Sequence, residues 1–309
     1  MRVVFCGNPE FALPTLDALL SSAHAVVAVV ASPDKPQGRG RKLLPLPTKQ
    51  RAQAEGVPVF EPTRLKDESF LQSIRALRPD CLVVVAFRIL PRELFAMPRL
   101  GSFNVHPSLL PRGRGPAPIP WTLIRGETET GVTIIRLSET IDGGDILAQE
   151  RIPVRPDDDF GRLHDRLAGM GAHLLVRVLD DFQSGNPPPP IPQNDAEATT
   201  APKLTASDFE INWHQTAQDI HHRIRAFSPQ PGAVARSGEM RLKILAAEAV
   251  SSPSELAPGA ILHRNTDEFV VGTGHGALRL KMVQPEGRRP MSVAEYLRGR
   301  PQLPVCFDS

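Results

Sequence analysis

The chain has 309 residues, of which 41% are hydrophobic, so it is long enough for about two folded domains with cores of their own. Its 36 basic and 34 acidic residues give a net charge of only +2, which excludes a globally polycationic nucleic-acid-binding protein. The three cysteines are too few for a disulfide framework, and no apolar stretch approaches the roughly 20 residues of a membrane span, so we expect a cytoplasmic protein without a signal peptide or membrane anchor.

The N-terminal half alternates short apolar runs with helical patterns. Residues 3–6, 26–31 and 82–86 have the length and composition of buried strands, and residues 70–77 carry an apolar face at helical spacing. This alternation predicts a Rossmann-like α/β fold with a doubly wound, mainly parallel sheet. Apolar residues that recur at three and four positions from Phe160 to Phe182 predict the helix that closes this domain.

A proline-rich segment separates the two halves. Residues 187–192 contain five prolines and cannot form a helix or an inner strand, so they predict a stiff, extended linker. Beyond it, short strand-like runs separated by turn residues predict a small β-barrel. We expect a catalytic domain at residues 1–183, a linker at 184–207 and a C-terminal domain at 208–309.

The most informative segment begins with a strand at residues 101–106. Alternate side chains of a strand lie on opposite faces, so Phe103 and Val105 are expected in the core while Asn104 and His106 share the other face. Pro107 cannot continue a ladder inside a sheet, which places His106 at the carboxyl end of the strand. Open α/β sheets bind their ligands at that edge.

Asn104, His106 and Asp142 together suit acyl transfer without a covalent nucleophile. The Asn104 carboxamide can stabilise a developing oxyanion, a contribution of roughly 3 to 4 kcal/mol where such donors have been removed. His106 can carry a proton between an attacking amine and a departing nitrogen, and Asp142 can orient the ring or act as a second base. Each residue alone also has an ordinary explanation, as a turn cap, a buried polar group or a turn residue. Only the combination favours a catalytic site.

Five segments of the chain resemble the 10-formyltetrahydrofolate-dependent formyltransferases. They are residues 104–111 (NVHPSLLP), 142–145 (DGGD), 5–12 (FCGNPEFA), 33–42 (PDKPQGRGRK) and 224–229 (IRAFSP). The similarity runs nearly end to end and is closest to the members that act on methionyl initiator tRNA. The resemblance implies transfer of the formyl group of 10-formyltetrahydrofolate to the methionine α-amine, and an OB-like C-terminal barrel that binds tRNA.

The resemblance also implies the roles of individual residues. Asn104, His106 and Asp142 take the catalytic positions. Folate contacts are expected from two loops and the aspartate segment: Ala86, Phe87, Arg88, Ile89, Ser108, Leu109, Leu110, Pro111, Ile141, Gly144 and Asp145. Contacts to tRNA are expected from a basic loop and the linker: Lys35, Arg39, Arg41, Lys42, Lys49 and Lys203. We expect no metal, since the adjacent His221 and His222 face different sides of a helix without a third ligand, and we expect a monomer.

One loop departs from the family pattern. Residues 87–88 are Phe-Arg where the family has a tyrosine-glycine pair and one more residue, and this loop walls the pteridine pocket in the family. We therefore predict weaker folate affinity than is usual. The alternatives are a sugar-nucleotide amine formyltransferase, a formyltetrahydrofolate hydrolase and a non-catalytic tRNA-binding relative. Retention of all three catalytic positions argues against the last of these.

Overall fold

The computed structural model divides into two compact units. It describes residues 1–34, 36–37, 42–43, 45–251, 256–265, 268–298 and 305–308. The N-terminal unit comprises Met1–Pro118, Glu129–Pro153 and His164–Pro202. The C-terminal unit comprises Ile119–Thr128, Val154–Leu163 and Lys203–Ser309.

Helices and strands alternate through the first half, and strands dominate the last third. The helices are α1 Leu13–Leu20, α2 Pro47–Ala54, α3 Glu68–Ala76, α4 Arg92–Phe95, α5 Pro118–Ile124, α6 Phe160–Gln183, α7 Ala217–Ala226 and α8 Val293–Arg298. The strands are β1 Arg2–Gly7, β2 Ala25–Val30, β3 Pro36–Gln37, β4 Lys42–Leu43, β5 Val59–Phe60, β6 Cys81–Val85, β7 Ser102–His106, β8 Glu129–Arg136, β9 Ile146–Pro153, β10 Ala233–Ser237, β11 Met240–Val250, β12 Ile261–Asn265, β13 Glu268–Gly272, β14 Ala277–Pro285 and β15 Met291–Ser292.

The N-terminal unit is built on a seven-stranded sheet in the order β5-β2-β1-β6-β7-β8-β9. The first five of these strands are parallel, and β8 and β9 extend the sheet in antiparallel fashion. The central strands β1 and β6 are buried almost throughout, as expected for parallel strands with both faces covered. The predicted Rossmann-like, mainly parallel sheet is therefore confirmed.

Helix α6 lies against the strand that carries Asn104 and His106. A Cβ atom added at Gly171 would lie 2.6 Å from Val105 Cγ1 and 3.3 Å from Val132 Cγ1, so the helix approaches β7 and β8 closely at this residue. The buried residues Leu167, Leu174 and Val178 lie on the same helix. The contact fixes the backbone of β7 between its two candidate catalytic positions.

The C-terminal unit contains an antiparallel sheet in the order β10-β11-β14-β13-β12, with β15 paired to β14. The long strand β11 pairs with β10 and β14, and its register with β14 shifts between Ile244 and Ala247. Such irregularities bend a strand, and the sheet curls into a half-barrel. Trp213 is buried in this unit and stacks on Phe307 at a centroid distance of 5.4 Å. The predicted OB-like C-terminal fold is confirmed in this curled form.

Two glycines of α6 provide a matched test of the packing against β7. Gly169→Ala has open space and is expected to raise the free energy of unfolding by about 0.5 to 1 kcal/mol, because alanine favours the helix. Gly171→Ala is expected to lower it by about 1 to 3 kcal/mol, because the new methyl group collides with Val105. Urea unfolding of both variants measures the difference. If both substitutions raised the free energy of unfolding equally, the close approach of α6 to β7 at Gly171 would be contradicted.

Candidate active site

The carboxyl ends of the parallel strands form one edge of the N-terminal sheet, and β7 ends there at His106. Phe103 and Val105 are buried, and Asn104 and His106 alternate with them along the strand. Strand β6 pairs with β7 so that Val84 lies beside Asn104, and the loops that follow both strands start from the same edge. Ligands of open α/β sheets bind at this edge.

The imidazole of His106 is buried and held on both sides. Its Nε2 lies 2.9 Å from the Gly113 carbonyl oxygen, and its Nδ1 lies 3.7 Å from Asp142 Oδ1. A carbonyl oxygen only accepts hydrogen bonds, so Nε2 carries the proton in this arrangement. Nδ1 is then the nitrogen that carries the lone pair of the neutral ring, and it lies on the side of the Asp142 carboxylate.

Asp142 is fixed through both its side chain and its backbone. Gly115 N–H donates to Oδ2 at 2.9 Å, and the side-chain amide of Gln193 donates to the Asp142 carbonyl at 2.7 Å. The residue has a φ of 52°, a left-handed conformation that aspartate adopts more readily than most residues. Two positions further on, a Cβ atom at Gly144 would lie 1.8 Å from the Arg136 carbonyl oxygen, so only glycine fits.

Asn104 is half-buried and lies two residues before His106, the last residue of β7. In the part of the chain that the structure describes, its carboxamide has no hydrogen-bond partner. A donor that is positioned by the backbone of a central strand and not engaged elsewhere can stabilise negative charge on an incoming oxygen without reorganisation.

The loop at residues 108–111 is anchored from two neighbouring strands. The Thr133 hydroxyl donates to the Ser108 carbonyl at 2.7 Å and accepts from Leu110 N–H at 3.2 Å. Gln149 donates to the Leu110 carbonyl at 3.0 Å and to the Thr133 hydroxyl at 2.9 Å. The Ser108 hydroxyl turns inward to the Arg112 carbonyl at 2.6 Å. The loop therefore presents Leu109 and Pro111 on a rigid backbone.

The loop that follows β6 is held in place by Arg88. Its guanidinium donates to the carbonyls of Pro62 at 2.9 Å and Thr63 at 3.2 Å, and it lies 5.2 Å from the ring centroid of Phe87. Burial lowers the pKa of Arg88 from its ordinary value, which still leaves the group charged at neutral pH. Ala86, at the start of the loop, has a left-handed φ of 46°. Arg88 thus connects the loop after β6 to the segment after β5.

Two exposed isoleucines lie on loops that are joined by an ion pair. Ile89 is 73% exposed and Ile141 is 57% exposed. Arg92, which begins α4, pairs with Glu139 at 2.8 Å and so joins the two loops. Exposed apolar side chains on loops at the edge of such a sheet are suited to covering a flat, partly apolar ligand. Asp145 lies on the same segment as Ile141, and its carbonyl accepts from Arg136 N–H at 2.9 Å.

The basic residues predicted to contact tRNA are described only in part. Lys35, Arg39 and Arg41 lie outside the described residues, and only the backbone of Lys42 is described, in β4. Lys49 is 12% exposed and donates to Asp34 at 2.7 Å and to Glu61 at 2.8 Å. These hydrogen bonds raise the pKa of Lys49 and pair its charge within the protein.

Lys203 is exposed at the start of the C-terminal unit.

The structure was also searched for a nucleophilic cysteine, a metal site and a membrane-spanning helix. Burial raises the pKa of the Cys6 and Cys81 thiols to about 12, so neither supplies a thiolate nucleophile at neutral pH. Across the described ranges, histidine, cysteine, aspartate and glutamate side chains form no group of three that is arranged to hold a metal ion. Among the described residues, no helix combines the length and apolar character that a membrane crossing requires.

The sequence did not identify Thr133, Gln149 and Gln193 as parts of the site. Thr133 and Gln149 face His106 in register across β7, β8 and β9, which only strand pairing reveals. A polar residue inside the apolar run of residues 132–135 is the one signal that points to Thr133. Gln193 follows the proline-rich segment, where nothing in the sequence indicates a contact with Asp142.

Comparisons with known proteins agree with this architecture. Residues 1–179 match the model for formyl transferase, and residues 203–301 match the model for the formyl transferase C-terminal domain. A methionyl-tRNA formyltransferase of Moorella thermoacetica is 46% identical over 307 residues, covering 98% of each chain. One from Syntrophus aciditrophicus is 44% identical and covers 97% of this chain and 96% of the relative.

Solved structures with low sequence identity show the same fold. HypX from Aquifex aeolicus, in complex with tetrahydrofolic acid, matches with a TM-score of 0.66 at 19% identity, over 100% of this chain and 50% of that protein. Methionyl-tRNA formyltransferase from Clostridium thermocellum matches with a TM-score of 0.55 at 17% identity, over 80% of this chain and 93% of that one. The matches to both domain models and the full-length relatives lead to one conclusion: this chain belongs to the formyl transferase family.

Proposed function

We propose that this protein transfers the formyl group of 10-formyltetrahydrofolate to the α-amino group of methionyl initiator tRNA, for the initiation of translation. The observation that carries the proposal is the arrangement of Asn104, His106 and Asp142 at the carboxyl edge of the sheet, with the basic nitrogen of His106 facing the carboxylate. Relatives that are 40 to 46% identical along nearly their whole length and are named methionyl-tRNA formyltransferases support the choice of acceptor.

The reaction needs one bond made, one broken and one proton moved. The α-amine attacks the formyl carbon, and the Asn104 carboxamide donates to the oxyanion that develops on the formyl oxygen. His106 takes the proton that the amine loses, with Asp142 stabilising the charged ring, and returns it to the folate nitrogen as the bond to that nitrogen breaks. No step requires a metal ion or a covalent intermediate with the protein.

Folate is proposed to lie against the loops that follow β6 and β7. Leu109 and Pro111 are presented on one side, and the exposed Ile89 and Ile141 cover the other. The remaining contacts are assigned to Ala86, Phe87, Arg88, Ser108, Leu110, Gly144 and Asp145. The complex of HypX with tetrahydrofolic acid, a protein of the same fold, supports a folate site in this architecture.

The tRNA is proposed to contact basic residues of both units. Lys35, Arg39, Arg41, Lys42 and Lys203 would supply phosphate contacts, which give affinity that depends on salt but not on sequence. Lys49 is proposed to act at the base of the basic loop, where its ion pairs with Asp34 and Glu61 join two strand ends. Residues 208–309 carry twelve basic and eleven acidic groups, so the contacts depend on local placement and not on net charge.

The remaining assignments follow from the same function. We keep residues 1–183 as the catalytic domain, 184–207 as the linker and 208–309 as the tRNA-binding domain. The enzyme is expected to be a cytoplasmic monomer. A sugar-nucleotide amine formyltransferase or a formyltetrahydrofolate hydrolase would use the same three residues, but full coverage of the methionyl-tRNA relatives favours tRNA.

The deciding experiment supplies 10-formyltetrahydrofolate together with charged initiator methionyl-tRNA, a UDP-amino sugar or water alone. Formylation of the tRNA alone is the expected result. Turnover only with the sugar or only with water would reassign the acceptor and leave the catalytic residues in place. Tight tRNA binding without any turnover would identify a non-catalytic relative.

Replacement of the three catalytic residues is expected to separate chemistry from binding. Asn104→Ala, His106→Ala and Asp142→Ala should each lower kcat by about 10²- to 10⁴-fold, because each removes charge stabilisation or proton transfer in the transition state. The Kd for tRNA should stay within about 3-fold, because none of the three supplies a phosphate contact. Single-turnover kinetics and filter binding measure the two quantities. A comparable loss of tRNA binding in His106→Ala would contradict this division.

The loop after β6 is expected to weaken folate binding. A variant in which Phe87-Arg88 is replaced by Tyr-Gly and one further residue should bind a stable folate analogue about 10-fold more tightly, a gain of roughly 1.4 kcal/mol. Arg99→Ala is the control, since Arg99 pairs with Asp80 before β6, at the opposite edge of the sheet. Calorimetric titration measures the affinities. Equal values for the wild type and the loop variant would contradict the prediction that this loop weakens folate binding.

Lys203 is expected to contact a phosphate group. Lys203→Ala should weaken tRNA binding and lower the slope of log Kd against log salt concentration by about 1. Lys66→Ala is the control, because Lys66 is also an exposed lysine but lies near Glu93 in the N-terminal unit. Binding measured between low and physiological salt tests this, and an unchanged slope for Lys203→Ala would argue against the contact.

A further inference from the structure

The segment that starts at Ile191, at the end of the proline-rich run, is hydrogen-bonded to the loops of the proposed catalytic site. Ile191 and Ile146 exchange two backbone hydrogen bonds, at 2.8 and 2.9 Å. Further along, Arg114 N–H donates to the Thr199 carbonyl at 2.9 Å, and Ala201 N–H donates to the Arg114 carbonyl at 2.6 Å. Residues 191–201, here called the strap, therefore lie against the rest of the N-terminal unit at both ends.

Gln193, in the strap, contacts both the loop that contains Asp142 and the loop that contains Arg114. Its side-chain nitrogen donates to the carbonyls of Asp142 and Gly144, both at 2.7 Å. Its side-chain oxygen accepts two hydrogen bonds from the Arg114 guanidinium, at 3.0 and 2.8 Å. Carbonyls only accept and a guanidinium only donates, so the amide has one possible orientation. Glutamine satisfies all four bonds, whereas glutamate cannot donate and lysine cannot accept.

These bonds fix the two groups that hold His106. The Asp142 backbone is fixed by Gln193, and the Asp142 carboxylate accepts from Gly115 N–H, next to Arg114. The Gly113 carbonyl, on the other side of Arg114, accepts from His106 Nε2. Thr199 of the strap supports the same turn, because its hydroxyl accepts from Gly113 N–H at 2.9 Å. Gln193 thus joins the backbone that carries the carboxylate to the loop that fixes the ring.

We infer that Gln193 is a positioning residue for the Asp142–His106 pair and that, through it, the strap completes the catalytic site. The inference rests on the proposed function for its kinetic consequence. The substrate does not need to contact Gln193, because the residue acts by holding Asp142 in its left-handed conformation at 3.7 Å from His106. Lys203 lies two residues after the strap, so the same stretch of chain carries a proposed tRNA contact.

The test uses the full-length protein with three substitutions. Gln193→Met keeps the length of the side chain and removes all four hydrogen bonds, whereas Gln193→Glu retains acceptors for Arg114 and removes the donors to Asp142 and Gly144. Asn194→Ala is the matched control, since the bonds of the neighbouring Asn194 to described residues all lie within the strap, to Ala196 and Glu197. Turnover is measured with whichever acceptor the wild type formylates, and thermal unfolding is measured alongside.

Both Gln193 variants are expected to lower kcat by about 10- to 100-fold, the loss that a small misplacement of a catalytic group causes, with KM for folate and Kd for tRNA nearly unchanged. Asn194→Ala should behave as wild type. On an Asp142→Asn background, Gln193→Met should add less than about 2-fold, because its effect passes through Asp142. Wild-type turnover of Gln193→Met, or its full effect repeated on that background, would overturn the inference.

A structural measurement separates this inference from the proposed function. In a crystal structure of Gln193→Met, the Asp142 carboxylate is expected to move away from His106, whatever the acceptor and whether or not the protein turns over. An unchanged position would overturn the inference even if the enzyme formylates methionyl-tRNA. Failure of the wild type to formylate any acceptor would instead contradict the proposed function and leave this measurement decisive for Gln193.

Discussion

The hydrogen bond between His106 Nε2 and the Gly113 carbonyl determines which nitrogen of the imidazole is free for chemistry. With the proton fixed on Nε2, the lone pair lies on Nδ1, beside Asp142 at 3.7 Å. In the proposed mechanism, proton transfer by His106 is therefore coupled to this carboxylate. The rest of the N-terminal unit maintains the positions of these three groups.

Rigidity at the site comes from the sheet and its covering helix. Strand β7 lies between β6 and β8, and α6 contacts it closely at Gly171, so Asn104 and His106 project from a backbone that is bonded on both sides. His106, Thr133 and Gln149 lie side by side on β7, β8 and β9. Thr133 and Gln149 hold the 108–111 loop by hydrogen bonds to its backbone carbonyls. Preorganised donors are effective in catalysis because they need no rearrangement when charge develops.

At the same edge, the loop after β6 is held by contacts with a neighbouring segment. Arg88, in the altered loop, bonds to the carbonyls of Pro62 and Thr63 and so ties the loop to the segment after β5. Ile89 remains exposed beside the loop of Ile141. The loop after β6 is therefore held by contacts separate from those of Asn104, His106 and Asp142.

The elements that depend on neighbouring residues could be predicted from the amino-acid sequence alone. Buried parallel strands appear as short apolar runs, α6 appears as a long amphipathic pattern, and Pro107 ends β7 directly after His106, because each depends on neighbouring residues alone. The strand pattern, and then the family motifs, indicated Asn104, His106 and Asp142 as candidate catalytic residues. Three features could be seen only in the folded chain: the hydrogen bond that fixes the tautomer of His106, the ion pairs of Lys49 with Asp34 and Glu61, and the contacts of Gln193. These depend on parallel strand pairing and on the path of residues 191–201, which bring together groups far apart in the chain.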